Sequence, residues 1–380
     1  MRIAFATTVS RTYLPLARVL MDSVAAHHSD SARYVLVLDD GPGLTADAEI
    51  LRPFDLIDDH LELTIRQTIY HPIEYATALK PMLLRHLLKD ADQVFFIDPD
   101  IRLFQPITAA VDLLSSGAGT VLTPHRVSPP VFEDRALYEG LLKSYGTYNT
   151  AFVGVTDASL PLLEWWDSRL KRDCLADLRR FEWVDQKVMD LAPSYFEFDL
   201  LRDQGYNVAW WNLDERPIRR ENGTWYTGPV PLVALHYTGV RPVLKRGGLP
   251  QLIHSSRNKA SQDPAQLQHI QVLEDNYVAD IKRAGYDDYT RGGYGLSATP
   301  GGRPLSLGAR RGYRQLVLAA EARGDRAPLP DDMSWSPIKR LSRRMLTMYT
   351  PGAVMEDARA VPKLQPAVAR VQALRRRMDA

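Results

Sequence analysis

The first 110 residues alternate short runs of β-branched and aromatic side chains with longer stretches of helical period, and this alternation limits the fold more than any other feature of the chain. RIAFATT, RYVLVLDD and QVFFIDPD read as strands. TYLPLARVLMDSVAAHH, with Leu16, Val19, Leu20 and Val24 on one face, and ATALKPMLLRHLLKD read as helices. Between them the pattern predicts a short helix over AEILRPF and a third strand over HLELTI. Strands and helices in strict alternation require crossover connections, hence an α/β fold with a parallel sheet covered on both faces. In such sheets the loops beyond the strand ends carry the chemistry.

Beyond the third strong strand the alternation loosens. GTVLTPH reads as a strand, SYGTYNTAFVGV as a Gly-punctuated strand pair, LPLLEWWDSRLKRDC as an aromatic-faced helix, and VDQKVMDLAP as a short helix ended by Pro193. YNVAWWNLDER, NGTWYTG and PLVALHYTG supply further strands or hairpin pieces, and Ile270, Leu273, Tyr277 and Ile281 line a later helix.

Several function classes are excluded or weakened by what the chain lacks. The first strand runs into ATTVSRTYLP rather than a G-x-G-x-x-G turn, and no Walker A sequence occurs, which weakens NAD and P-loop readings. A single cysteine, Cys174, rules out an intrachain disulfide framework and a multi-cysteine zinc site. No apolar run approaches the ~20 residues of a membrane helix and no basic leader precedes MRIAFATT, so a cytoplasmic location is expected.

The strand QVFFIDPD ends in two aspartates, Asp98 and Asp100, one residue apart. Two carboxylates held close with little water raise each other's pKa, so the pair implies a positive partner. A phosphatase nucleophile motif belongs on the first strand and wants Thr or Val two residues after the second aspartate, where this chain has Arg102. Two carboxyls that hydrolyse a glycosidic bond stand ~5–10 Å apart across it, whereas an i, i+2 pair at a strand end converges on one point. A hard divalent cation shared with diphosphate oxygens suits the pair best. Taken alone, Asp-Pro-Asp serves equally well as the cap of a proline turn.

The order LKPMLLRHLL, FIDPDI, YNTAF, VDQK and HYTG resembles the GT-A nucleotide-sugar transferases of the glycosyltransferase family 8 kind, which include bacterial lipooligosaccharide galactosyltransferases and glycogenin, and with LTPH and GYNVA it is closer still to uncharacterised bacterial glycosyltransferases. The resemblance spans roughly residues 1–255 and implies a Rossmann-like GT-A catalytic domain there, followed by a helical, basic extension over 256–380. It implies that Asp98 and Asp100 are the D-x-D pair and that His236 of HYTG completes a site for Mn²⁺ or Mg²⁺; without the family, a packed histidine is the simpler reading of His236. Ala6, Thr7 and Thr8 match the region that holds base and ribose, with Tyr13 placed to stack on the base. Lys80 and Asn149 match residues facing the donor phosphates and sugar, and Asp185 and Gln186 match a pair beside the anomeric carbon. Taken alone, Lys80 could equally be a solvated helix charge and Asp185 a helix N-cap. Family members often continue H-x-x-G-x-x-K; here HYTGVRPVLK places Gly239 as expected but leaves Arg241 and Lys245 flanking the position of the lysine. The implied activity is transfer of a sugar from a nucleotide-diphospho-sugar to a hydroxyl of a glycan, glycolipid or other acceptor, with retained anomeric configuration. A non-catalytic nucleotide-sugar binding module that partners another enzyme is the alternative.

Charge is divided unevenly. From Ile338 onward ten basic residues face three acids, a segment of +7 in a chain of net +1, so the remainder carries −6 and is a poor match for nucleic acid. Ile338, Leu341, Met345 and Met348, and later Leu364, Val368, Val371, Leu374 and Met378, recur at helical spacing among these basic residues. Such helices either lie on an anionic membrane surface or pack on the acidic body.

Overall fold

The computed structural model describes residues 1–39, 47–242, 251, 263–291 and 293–331, and two compact units divide the chain. The first comprises residues 1–58 and 72–295, the second residues 59–71 and those from 296 onward.

The first unit is built as the alternation predicts. Strand β1 (Ile3–Val9) leads through a 3₁₀ turn into helix α1 (Leu14–His27), whose Leu16, Leu20 and Val24 are buried, and the chain returns as β2 (Ala32–Val37). The next segment departs from expectation. Glu49–Leu51, read as helix, is a strand (β3) paired parallel with β2, and helix α2 (Pro53–Leu56) starts only at the proline, whose fixed φ suits a first turn. HLELTI, read as strand, is helix α3 (His60–Ile69): the Asp59 carboxylate accepts from the Glu62 amide, and Arg66 donates to Glu62 one turn earlier at 2.7 Å. That helix belongs to the second unit.

Helix α4 (Pro72–Ala78) and helix α5 (Lys80–Leu87) divide the ATALKPMLLRHLLKD stretch at Leu79, with Pro81 in the first turn of α5. Strand β4 (Gln93–Ile97) is wholly buried, and after the Asp98–Asp100 turn the chain continues as β5 (Ile101–Leu103) and α6 (Thr108–Ser115). Strand β6 (Thr120–Pro124) follows, then α7 (Arg135–Tyr145), which occupies the start of the expected strand pair. Gly146, at φ +113°, ends α7, and Tyr148–Val155 form a single strand, β7. Helix α8 (Leu160–Asp173) precedes the small hairpin of β8 (Ala176–Asp177) and β9 (Glu182–Trp183). A 3₁₀ segment over Lys187–Ser194 runs through Pro193 instead of ending before it. Strand β10 (Asp199–Leu200) is followed by turns over Trp210–Glu215, within a stretch expected to supply a strand or hairpin piece. The strands β11 (Ile218–Glu221), β12 (Thr224–Thr227) and β13 (Val230–Pro231) make a meander, and β14 (Ala234–His236) returns beside β5.

Seven of the described strands form a central sheet in the order β10-β6-β7-β4-β1-β2-β3. All its pairings are parallel except those of β7, which runs against both β4 and β6. The fold is therefore mixed α/β with a mostly parallel central sheet. Gly154 of β7 permits this arrangement, since a Cβ there would sit 2.7 Å from the Phe95 ring. Helices α9 (Pro264–Arg283) and α10 (Tyr286–Thr290) complete the first unit: Ile270, Leu273, Tyr277 and Ile281 pack with Leu16, Leu235 and Tyr237, and Arg18 of α1 donates to the Ala284 carbonyl at 2.8 Å.

In the second unit α11 (Leu307–Glu321) packs on α3, and Arg310 donates to the carbonyls of Gln67 and Tyr70 at the end of that helix. Lys245 and the basic segment from Ile338 onward lie outside the described residues.

Candidate functional site

The Asp98–Asp100 turn is fixed by backbone bonds at both ends. The Asp98 amide donates to the Ala151 carbonyl of β7 at 2.8 Å, and the Asp100 carbonyl accepts from the Tyr237 amide at 2.8 Å. Antiparallel pairing of β5 with β14 sets Ile101 opposite His236, so the register itself brings the histidine beside Asp100. His236 Nε2 lies 3.1 Å from Asp100 Oδ1, and one ligand atom from each of Asp98, Asp100 and His236 falls within 4.8 Å of the others.

This triad suits a divalent cation. Two carboxylates and an imidazole are a donor set that first-row metals accept. The other imidazole nitrogen, Nδ1, stands 3.4 Å from Asn207 Oδ1, a contact that orients the ring so that Nε2 faces the carboxylates. Asn207 is buried at a positive φ of 50°, a backbone region that asparagine tolerates better than most residues. Burial pushes the Asp100 carboxyl up, but the His236 imidazole and the Arg241 guanidinium more than offset it, and the net effect is to hold Asp100 below the usual carboxylate range.

Lys80 answers the question posed by the paired aspartates. Only 2% exposed, it is not the solvated helix charge that was one reading of it. Its ammonium meets Asp98 Oδ1 at 3.1 Å, Asp185 Oδ2 at 3.0 Å and the Thr150 carbonyl at 3.0 Å, and it stands 4.5 Å over the Phe96 ring. Burial alone would lower its pKa; the two carboxylates outweigh that and raise it, so the lysine stays charged. Asp185 in turn is raised by burial and by Asp98, against the opposing pull of Lys80. The N-cap role is also excluded for Asp185: the 3₁₀ segment that follows is capped at Gln186, without a side-chain cap. Asp185 is held instead through its carbonyl, which accepts from Trp166 Nε1 at 2.9 Å.

Gln186 spans the site. Its Oε1 accepts from the Thr150 amide at 3.3 Å, and its Nε2 donates to the Tyr145 carbonyl at 2.8 Å and approaches His125 Nε2 at 3.4 Å. Asn149 Nδ2 stands 3.1 Å from the same His125 nitrogen, while Asn149 Oδ1 accepts from the Ala151 amide. With two amide NH₂ groups facing Nε2, and Nδ1 facing the Thr147 carbonyl at 3.3 Å, His125 is neutral; burial drives its pKa down to about 4. His125 and Asn207 fall within the LTPH and GYNVA segments, yet nothing local in either segment assigns them a role. Their partners lie far away in sequence.

Lys80, Asp98, Asp100, Asn149, Asp185, Gln186 and His236 all line one cavity of about 340 Å³, together with His125 and a cluster of aromatic side chains. The other expected residues that are described do not line it. Ala6, Thr7 and Thr8 are buried at the end of β1, and the Thr7 and Thr8 hydroxyls have no hydrogen-bond partner among the described residues. Tyr13, 41% exposed, is covered by Arg241, whose guanidinium lies 4.7 Å from the ring and donates to the Tyr13 hydroxyl at 2.9 Å. Gly239 takes a positive φ of 78° in the turn after His236.

No protein-family model matches the chain. An uncharacterized protein of Bacillus subtilis (strain 168), YfnD, is 25% identical over 260 residues, covering 64% of this chain and 79% of the relative. Among solved structures the chain is similar to the galactosyltransferase LgtC in complex with donor and acceptor sugar analogues, with a TM-score of 0.41 and 14% identity over 73% of this chain and 95% of that one. It is also similar to the apo form of mouse xyloside xylosyltransferase 1, with a TM-score of 0.38 and 14% identity over 63% and 97% of the two chains. Likeness of this degree carries no functional conclusion, and the chemistry has to come from the site.

Proposed function

We propose that the chain is a metal-dependent glycosyltransferase of the GT-A, family 8 kind, which moves a sugar from a nucleotide-diphospho-sugar to an acceptor hydroxyl. The observation that carries this reading is the convergence of seven polar residues, spread from Lys80 to His236, on one cavity that contains a metal-binding triad. Asp98, Asp100 and His236 would hold Mn²⁺ or Mg²⁺, which when bound neutralises charge on a departing diphosphate. Ala6, Thr7, Thr8 and Tyr13 are assigned to the nucleotide, and Arg241, Lys245 and Gly239 to the diphosphate side. Lys80, whose ammonium already meets Asp98, Asp185 and the Thr150 carbonyl, acts by setting the two carboxylates in place rather than by grasping the donor.

Asn149, Asp185 and Gln186 are assigned to the face of the sugar at the anomeric carbon. In the transfer, the bond from the anomeric carbon to the diphosphate oxygen breaks and the acceptor oxygen bonds to that carbon. The acceptor proton passes to the leaving phosphate, on the same face, so the anomeric configuration is retained. Asp185 cannot approach as a free nucleophile while Lys80 holds it, which favours this route over a covalent glycosyl-enzyme. Positioning and charge complementarity then account for most of the acceleration. The reading extends to the basic segment from Ile338 onward, which would hold the enzyme on an anionic surface near cell-envelope acceptors.

The test is a thermal-shift panel of nucleotide sugars with and without Mn²⁺, followed by detection of released nucleoside diphosphate. At ~100 times its Kd a donor adds ~2.7 kcal/mol, a shift of a few degrees. At least one donor should stabilise the protein only when metal is present, Asp100→Ala should abolish that shift, and turnover should follow. A panel in which no donor responds to metal would defeat the assignment, and binding without turnover would leave a sugar-binding module.

A further inference from the structure

His125 has been given no part in the transfer, yet it meets two residues that have one. It follows directly on β6, is buried, and lines the same cavity as Asn149 and Gln186. Resting on the transfer reading above, we infer that His125 is a positioning residue: its Nε2 is the common acceptor for the Asn149 and Gln186 amides and fixes which end of each amide is left to face the sugar.

The tautomer follows from a backbone group, whose role cannot be exchanged. Nδ1 stands 3.3 Å from the Thr147 carbonyl, which can only accept, so the proton sits on Nδ1 and Nε2 keeps its lone pair. The same carbonyl accepts from the His125 amide at 3.1 Å, and the His125 carbonyl accepts from Asn212 Nδ2 at 2.9 Å. The Trp211 ring meets the imidazole edge-on at 5.3 Å and 71°, so backbone and ring are both anchored. Thr147 is fixed in its turn, since its amide donates to Asp190 Oδ1 at 2.7 Å and Asp190 Oδ2 accepts from Lys187 at 2.7 Å.

The two amides are oriented by the same reasoning. Asn149 Oδ1 accepts from the Ala151 amide at 2.9 Å, and Gln186 Oε1 from the Thr150 amide at 3.3 Å, so both NH₂ ends turn to His125, at 3.1 Å and 3.4 Å. One N–H of Gln186 goes to the Tyr145 carbonyl at 2.8 Å and the other to His125, which commits both. What remains uncommitted among the described residues is one N–H of Asn149 and one lone pair of Gln186 Oε1. The cavity therefore receives a donor from Asn149 and an acceptor from Gln186. An imidazole with its proton on Nε2 would set three donors against one another and undo that division. The lone pair is shared unequally: Asn149 is nearer and has no second acceptor, whereas Gln186 also has Tyr145.

The test reads the imidazole and the reaction separately. In the full chain carrying isotope-labelled histidine, nitrogen NMR should show His125, assigned by its absence in His125→Gln, with the proton on Nδ1 and a bare Nε2. Asn149→Ala should move the Nε2 resonance, and Gln186→Ala should move it less. In turnover, His125→Leu removes the acceptor and should lower kcat ~10–100-fold with donor KM and the Mn²⁺ midpoint nearly unchanged, while His125→Gln, whose side-chain oxygen can take the same two N–H groups, should recover most of the loss. Thermal melts at neutral pH identify a variant lost to misfolding; should His125→Gln be one, the response to Asn149→Ala assigns the signal instead. A proton on Nε2, turnover of His125→Leu equal to the parent, or folded Leu and Gln variants that lose equally would overturn the positioning role and leave the transfer reading standing. A chain that binds no nucleotide sugar would sink the transfer reading, and the nitrogen spectrum would still decide whether His125 fixes the two amides.

Discussion

Lys80 is the residue on which the site turns, because its single positive charge lets Asp98 and Asp185 lie on either side of it in a buried setting. Removing one member of a buried charge cluster strands the rest, at a cost of ~3–5 kcal/mol. Lys80→Met should therefore destabilise the first unit by about that amount in urea unfolding, and the loss should be non-additive with Asp185→Asn, since the two share one interaction. Asp185→Asn alone keeps the shape of the side chain while removing its charge; on the transfer reading it should lower kcat strongly with donor KM nearly unchanged, whereas equal losses in both would make Asp185 structural. His125 makes a separate prediction. Its folded pKa of about 4 lies below the ~6.5 of an unfolded histidine, so between those values the unfolded chain binds more protons and stability falls as pH drops. The full effect is ~3 kcal/mol, and melts at pH 7 and pH 4.5 should differ less in His125→Gln than in the parent.

At the scale of elements, β7 is set by its neighbours and α3 by its own first turn. Strand β7 runs antiparallel in the middle of the sheet, and Gly154 lets it pass close to Phe95 and Leu114. Gly154→Ala should cost ~1–3 kcal/mol through overpacking, visible as a lowered urea midpoint at unchanged slope. Helix α3 begins at a side-chain cap, and Asp59→Ala should remove ~1 kcal/mol from the second unit by exposing the first-turn amides, with Asp59→Asn restoring most of it.

At the scale of the whole molecule the dominant feature is the division of charge between a −6 body and a +7 terminal segment. No described helix is long and apolar enough to cross a membrane. Each basic residue near an anionic bilayer contributes ~1 kcal/mol, so the segment has enough charge to hold the protein at a surface. The full chain should sediment with anionic vesicles at low salt and be released at high salt, and removal of residues 338–380 should abolish sedimentation. Sedimentation unaffected by lipid charge would assign those charges to the protein's own acidic surface.

The sequence by itself determined the elements whose signal is local. β1, α1, β2, β4, α8 and the buried stripe of α9 all follow from the spacing of apolar residues over one to five turns or a few strand residues, because contacts at i+2, i+3 and i+4 are written in consecutive letters. The Asp-Pro-Asp turn was legible for the same reason, as was the expectation that two adjacent carboxylates need a positive partner. Which partner they have was decided only by the tertiary structure. Lys80 reaches Asp185 and His236 reaches Asp100 across more than a hundred residues, through the packing of α5 on the sheet and the register of β14 on β5. Long-range packing likewise ran β7 against its neighbours, brought aromatic rings from three segments to one cavity, and gave His125 and Asn207 their work. Hydrogen-bond partners and dry surroundings, rather than residue type, fix what such side chains do, and those come into being only when the chain has closed on itself.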